Sequence, residues 1–186
     1  GEITEIGMTV VNAHTQPGKT AEFTVYGLDE YQNRIYIAPE EVTFEVVGVE
    51  GTWNGYEFLP ATTGAYSVVA TYGEGFTAVA SATCYPTARL KATYSDISIN
   101  NVGGTAQIYI TAYDTEGFGR AVTNDVVYTV SNPAIGTMNG NTFTAAAQGS
   151  TYVKCSWAGQ DTYVRVTVGG AEKVSVPAST VAADPL

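Results

Sequence analysis

The chain has 186 residues, of which 45% are hydrophobic and 14% charged, and its formal net charge is −10. This apolar content excludes an intrinsically disordered chain, which combines few apolar residues with many charges. The negative charge and the eight scattered Lys and Arg residues argue against nucleic acid as a partner, because it requires a positive surface. No apolar run approaches the ~20 residues of a membrane span, so direct membrane insertion is not expected.

The first half of the chain reads as a series of short strands. Apolar residues within positions 3–12 predict a first strand, and Pro17-Gly18 predicts a turn after it. Inward residues at 21, 23 and 25 alternate with more polar residues at 22, 24 and 26, as in a strand with one buried face. Further strands are predicted around 42–46, 58, 66–70 and 76–84. The last of these has two possible registers: the buried face carries either Val79, Ser81 and Thr83, or Ala78, Ala80, Ala82 and Cys84.

The second half repeats this pattern 85 positions later. Gly51-Thr52-Trp53-Asn54-Gly55 recurs as Gly136-Thr137-Met138-Asn139-Gly140. The same offset relates Gly18 to Gly103, Asp29 to Asp114, Phe58 to Phe143 and Gly64 to Gly149. Both Asn-Gly pairs are typical of tight hairpin turns. The shared offset indicates one structural unit used twice.

Alternation in the second repeat predicts which residues face inward. The predicted inward residues are Ala106, Ile108, Ile110, Val126, Tyr128, Val130, Thr151, Val153, Cys155, Val164, Val166 and Val168. Three residues alternate with the last three valines of this list and are predicted to face solvent: Tyr163, Arg165 and Thr167.

About seven short strands per repeat, separated by turns, predict an all-β protein made of two tandem immunoglobulin-like β-sandwich domains. Residues 1–86 form the first predicted domain and 87–170 the second, because Pro86 ends the last strand of the first repeat. Residues 171–186 are expected to be a linker or the start of a following domain. Gly1 as a first residue, and an end without a closing element, suggest a piece of a larger protein.

The order of these signals resembles the bacterial immunoglobulin-like repeats. Those repeats carry Gly-Thr-x-x-x-Gly-x-Phe-x-Ala before a glycine-containing turn, and this chain carries a slightly shortened form over 51–61 and again over 136–146. The resemblance covers residues 3–169. It implies a bacterial spacer or adhesion module, often attached to secreted enzymes or surface proteins, with no activity common to the family.

The expected function is therefore a non-catalytic extracellular spacer or stalk module of a larger bacterial secreted or cell-surface protein. Its partners would be neighbouring domains of the same chain, and a monomer is expected. One alternative is an adhesion module that binds cell-wall glycan, host glycan or protein through exposed Tyr and Trp. A remote alternative is a pair of accessory domains of a secreted glycosidase whose catalytic domain lies outside this sequence.

The sequence predicts no enzyme and no cofactor. His14 is the one histidine and lies beside a turn, so no Ser-His-Asp or Cys-His set can be assembled. Candidate calcium ligands are Asp29 with Glu30 and Asp114 with Glu116, in equivalent turns, because hard cations prefer clustered oxygens. An aspartate in such a turn more commonly caps its own backbone.

Cysteines and aromatic residues are the remaining features of note. Cys84 and Cys155 do not occupy equivalent positions of the repeat, so they are predicted to be buried free thiols rather than a disulfide framework. Trp53 aligns with Met138 and is predicted to pack in the core. Candidate ligand-binding aromatics, at strand ends or on outward faces, are Trp157, Tyr72, Tyr113 and Tyr163.

Overall fold

The computed structural model describes residues 1–170, and its regular structure there is β-strand apart from a 3-10 turn at Pro39–Glu41. The prediction of an all-β protein with immunoglobulin-like sandwiches is confirmed. Within these residues, no helix is long and apolar enough to cross a membrane. The segment 171–186, predicted to be a linker or the start of another domain, lies outside the described residues.

The chain divides into two compact units. The first contains Gly1–Ala88 together with Tyr113–Arg120, and the second contains Arg89–Ala112 and the described residues from Ala121 onward. The domain boundary placed between residues 86 and 87 from the sequence stays a prediction.

The first unit contains two sheets. Its strands are β1 (Glu5–Val11), β2 (His14–Thr15), β3 (Ala21–Leu28), β4 (Arg34–Tyr36), β5 (Val42–Val47), β6 (Gly51–Asn54), β7 (Glu57–Pro60), β8 (Gly64–Tyr72) and β9 (Phe76–Cys84). One sheet has the order β1-β3-β7-β6 with β4 beside β3, and the other has the order β2-β9-β8-β5. The chain therefore changes sheets between β1 and β2, and β1 confirms the first strand that the sequence predicted within residues 3–12.

An aromatic cluster forms much of the core of the first unit. Trp53 stacks on Phe44 with ring centroids 4.1 Å apart, and its indole meets Phe23 edge to face at 5.7 Å. Phe58 and Tyr66 complete the cluster and are almost fully buried. The sequence prediction that Trp53 packs in the core is confirmed.

The second unit repeats the arrangement, with two strands where the first unit has β3. Its strands are β10 (Thr87–Ala92), β11 (Asp96–Ile99), β12 (Thr105–Gln107), β13 (Ile110–Asp114), β14 (Gly119–Ala121), β15 (Val127–Val130), β16 (Gly136–Asn139), β17 (Thr142–Ala145), β18 (Gly149–Trp157) and β19 (Gln160–Val168). The two strands in the place of β3 are β12 and β13. One sheet has the order β11-β19-β18-β15, and the others have the orders β12-β17-β16 and β10-β13-β14.

The core of the second unit is mostly aliphatic. Its buried residues include Ile108, Ile110, Phe143, Val153, Cys155, Val164, Val166 and Val168. Apart from Phe143, these are residues that alternation predicted to face inward, and the outward prediction for Tyr163 and Arg165 is likewise confirmed. Met138 packs against this core at the position that Trp53 occupies in the first unit.

The structure resolves the register of β9. Cys84 and Ala82 are buried, Ala78 and Ala80 pack against the core, and Val79 is 65% exposed. The hairpin before β9 contains Gly73 and Gly75, both at positive φ. It is one residue longer than the β18–β19 hairpin, so the inward face of β9 is shifted by one residue relative to β19.

The Asn-Gly hairpins use a different turn from the one expected. Asn54 pairs with Glu57, so Gly55 and Tyr56 are the two central residues, and only Gly55 has a positive φ of 60°. A glycine at the first central position is typical of a type II′ turn, whereas the Asn-Gly pattern suggested two central residues at positive φ. Gly140 repeats this geometry with a φ of 57°.

The β18–β19 hairpin carries backbone strain at an alanine. Its central residues, Ala158 and Gly159, have φ values of 51° and 74°. Such a pair of positive φ angles suits Asn-Gly, and an alanine Cβ is disfavoured there by about 1–2 kcal/mol.

Replacing Ala158 by Asn should therefore raise the free energy of unfolding by about 0.5–1 kcal/mol, measured by urea denaturation. Ala158→Val should lower it, and an equal effect of both substitutions would contradict the strain.

The repeated Gly-Thr motif is explained by close packing of a phenylalanine ring. A Cβ on Gly136 would overlap the Phe143 ring and lie 2.6 Å from the Thr144 carbonyl oxygen. A Cβ on Gly51 would overlap Phe58 and the Leu59 carbonyl oxygen in the same way. Only glycine leaves room for the ring at this position of the sandwich.

Gly136→Ala should destabilise the second unit by about 1–3 kcal/mol, the usual effect of overpacking a core. The exposed neighbour Thr137 provides the control, since Thr137→Ala should leave the thermal midpoint nearly unchanged. Calorimetry of both variants tests this, and a Gly136→Ala protein as stable as the control would refute the packing argument.

Candidate functional site

Strand β2 lies beside β9, the last strand of the first unit, and runs parallel to it. In β2, His14 lies beside Thr83 and Thr15 beside Cys84. The Thr83 amide donates to the Ala13 carbonyl at 2.8 Å, and the Tyr85 amide donates to the Thr15 carbonyl at 3.1 Å. The His14 ring nitrogen Nδ1 lies 2.8 Å from the Thr83 hydroxyl oxygen, so the predicted turn histidine is part of this ladder.

The second unit contains the same ladder in a longer form. Strand β11 pairs in parallel with β19 from Asp96–Arg165 to Ile99–Val168. The Arg165 amide donates to the Ser95 carbonyl at 2.8 Å, and the Gly169 amide donates to the Ile99 carbonyl at 2.7 Å. Sequence analysis missed both ladders, since they join residues about 70 positions apart and leave no local pattern.

The parallel direction of these ladders has a mechanical meaning. When the two ends of a unit are pulled apart, its early strand is drawn toward its own beginning and its last strand toward its own end. In a parallel pair these directions are opposite along the strand axis. The ladder is therefore loaded in shear, and its hydrogen bonds must break together instead of one at a time.

The carboxylate of Asp29 caps its own turn. Its Oδ1 accepts the amides of Tyr31 and Asn33, both at 2.9 Å, and its Oδ2 accepts the Asn33 side-chain amide at 3.0 Å. These bonds, with that from the Asn33 side chain first, lower the pKa of Asp29. Glu30 is exposed beside it.

Asp114 caps the equivalent turn with one oxygen. Its Oδ1 accepts the amides of Glu116 and Phe118, both at 2.9 Å. Phe118 stands where the first repeat has Asn33, so the side-chain donor is missing, and Oδ2 is buried without a hydrogen-bond partner among residues 1–170. Glu116 is exposed.

The carboxylates of Asp29 and Asp114 thus accept hydrogen bonds from backbone amides of their own turns. Within residues 1–170, no group of three or more His, Cys, Asp and Glu side chains is arranged to hold a metal ion. Calcium binding at Asp29, Glu30, Asp114 and Glu116 stays a prediction.

The lowered pKa of Asp29 makes its contribution to stability depend on pH. Because the folded-state pKa is below the unfolded value of about 4, the ionised cap stabilises the fold above that value and is lost as the pH falls through the folded pKa. Asp29→Ala should therefore lower the thermal midpoint at neutral pH, and the deficit should shrink with acidification. Glu30→Ala, a change of equal charge, should show little effect, and a deficit for Asp29→Ala that persists unchanged in acid would contradict the capping role.

The two thiols are buried within the cores, as predicted. Cys155 is fully buried and Cys84 is 1% exposed. Burial raises the pKa of Cys155 to about 12 and raises that of Cys84 as well. Since the thiolate is the reactive form, both groups are unreactive at neutral pH in the folded units.

The four aromatic candidates differ in how far they are buried. Trp157 and Tyr72 end their strands on the inward side, and each packs, partly buried, against the core of its unit. Tyr113 is also partly buried, whereas Tyr163 is 53% exposed on the outward side of β19. A ligand-binding role for these four residues stays a prediction.

Comparison with known proteins finds structural likeness only. No family model matches the sequence, and no curated protein matches it. The assignment to the bacterial immunoglobulin-like repeats therefore stays a prediction.

Solved structures with a similar fold include surface proteins of bacteria. The S-layer protein rSbsC(31-844) is 21% identical with a TM-score of 0.42, and the match covers 94% of this chain. This chain thus spans 29% of the length of that S-layer protein. Domains 4 and 5 of SbsC are 20% identical over 91% of this chain and 100% of that one, with a TM-score of 0.41. The Escherichia coli adhesin FdeC is 17% identical over 89% of this chain and 64% of that one, with a TM-score of 0.35. Likenesses at this level carry no inference about what this chain does.

Proposed function

We propose that this chain is a non-catalytic, load-bearing spacer module of a larger extracellular bacterial protein. The observation that carries the proposal is the parallel ladder between an early strand and the last strand of each unit. A segment that holds neighbouring domains apart must stay folded when its ends are pulled. A ladder loaded in shear meets that requirement.

The rest of the duplicated scaffold supports the same role. Repeated positions serve the fold: Gly51 and Gly136 make room for a ring, and Asp29 and Asp114 cap turns. The thiols, which are the strongest nucleophiles of the chain, are sealed in the two cores. We propose the extracellular location and the bacterial source because the sequence resembles the bacterial immunoglobulin-like repeats.

Single-molecule pulling on the chain through its ends tests the load-bearing role. Two unfolding events are expected, each releasing about 85 residues, or about 300 Å of extended chain. In a parallel ladder every second residue of β11 donates to β19, and the bonds at Ser95 and Ile99 place Ile97 among the donors and Ser98 among the residues between them. Ile97→Pro should therefore lower the force of one event.

Two matched variants separate the ladder from general damage. Ser98→Pro introduces the same ring at a position whose amide faces away from β19, and Ile97→Ala removes the side chain but keeps the amide. Both should retain most of the unfolding force. If Ser98→Pro weakens the unit as much as Ile97→Pro, or if neither unit resists extension, the load-bearing role is wrong.

A further inference from the structure

The outward side of the β11-β19-β18-β15 sheet carries two exposed tyrosines, Tyr152 and Tyr163, beside charged groups, and a third exposed tyrosine, Tyr94, lies just before β11. Tyr94 is 67%, Tyr152 51% and Tyr163 53% exposed. The side chains that share this surface, here called the tyrosine face, are Asp96, Tyr152, Lys154, Asp161, Tyr163 and Arg165. All of them belong to the second unit.

Strand register sets the arrangement of these groups. Tyr152 lies directly opposite Arg165, and Lys154 lies directly opposite Tyr163. Each ring therefore has a cation across the strand pair, and the two rings are diagonal neighbours, with Cα atoms about 7–8 Å apart. Tyr94 precedes Ser95, whose carbonyl accepts the Arg165 amide at 2.8 Å, so its backbone lies near the edge of the face.

The charges of the tyrosine face balance. The Lys154 Nζ lies 3.4 Å from the Asp161 Oδ2, and the Asp161 Oδ1 accepts the Ser156 hydroxyl at 2.6 Å. Asp96 stands beside Arg165 in the parallel pair. The surface thus offers aromatic rings and hydrogen-bonding groups without an excess of either charge, in a chain whose net charge is −10.

The first unit shows that the sandwich itself does not need these side chains. Its β8–β9 hairpin has the same pairing, in which Ser67 faces Ser81 and Val69 faces Val79. These four small residues occupy the places of Tyr152, Arg165, Lys154 and Tyr163. The stacked and edge-to-face ring pairs found among residues 1–170 do not involve Tyr152 or Tyr163, so such stacking does not account for these two tyrosines.

We propose that the tyrosine face binds a neutral polysaccharide chain. A tyrosine ring offers an apolar surface with a polar tip, which matches the apolar face and the hydroxyl rim of a pyranose. The guanidinium of Arg165 presents several donors in one plane, and Asp96 supplies acceptors for sugar hydroxyls. A face without net charge suits an uncharged ligand, and the negative field of the whole chain repels polyanions.

Affinity electrophoresis of the full chain tests the proposal. The neutral probes are hydroxyethylcellulose, galactomannan and dextran, and the anionic probes are alginate and polygalacturonate, each cast into a native gel. At least one neutral probe should retard the chain. Tyr152→Ala and Tyr163→Ala should each weaken the interaction about tenfold, which corresponds to about 1.4 kcal/mol, and the double variant should abolish it.

Two controls keep the result interpretable. Tyr109→Ala removes a ring of similar exposure, 49%, from the segment between β12 and β13 of the second unit and should leave the retardation unchanged. Tyr152→Phe keeps the ring and should keep most of the binding, while calorimetry confirms that each variant is folded.

Failure of every neutral probe, retardation by the anionic probes alone, or full binding by the double variant would each overturn the proposal. The pulling experiment measures the β11–β19 ladder and does not depend on sugar, so the two proposals can fail separately.

Discussion

Each residue on a strand of a two-layer sandwich faces either the core or solvent, and this two-way constraint governs both units. It explains why an extra hairpin residue before β9 moves Ala82 and Cys84 into positions that face the core. It also explains why Trp157 and Tyr72 point inward at their strand ends, because alternation continues to the last residue of each strand. The phenylalanine ring packed against each Gly-Thr motif shows how closely the inward residues fit, since a Cβ on the facing glycine would overlap the ring.

The local part of this architecture could be predicted from the sequence. Alternation identified the inward residues of β3, β8, β18 and β19, and the 85-residue offset identified the duplication. The register of β9 could not be predicted, because both of its faces carry small uncharged residues and neither offers a clear hydrophobic pattern. The parallel ladders could not be predicted either, since a pairing between residues 14 and 83 depends on how the whole unit closes.

The candidate surfaces were predictable to a smaller extent. The turn carboxylates were found because the duplication repeats them, and their capping role follows from ordinary turn chemistry. Tyr163 was identified as outward, but Tyr152 was not singled out. Their common surface depends on cross-strand register, which joins three segments that are separate in the sequence. The contrast with Ser67, Val69, Val79 and Ser81 becomes visible only when the two units are compared at matched positions.

Each unit contains one cysteine, and each cysteine is sealed in the core of its unit. Chemical modification of each thiol can therefore report the unfolding of the unit that contains it. A thiol-specific reagent cannot reach either sulfur while the units are folded, but it reaches Cys84 when the first unit opens and Cys155 when the second does. Mass mapping of the modified cysteine would then identify which unit opened first along a stretched chain, without any cysteine being engineered into the protein.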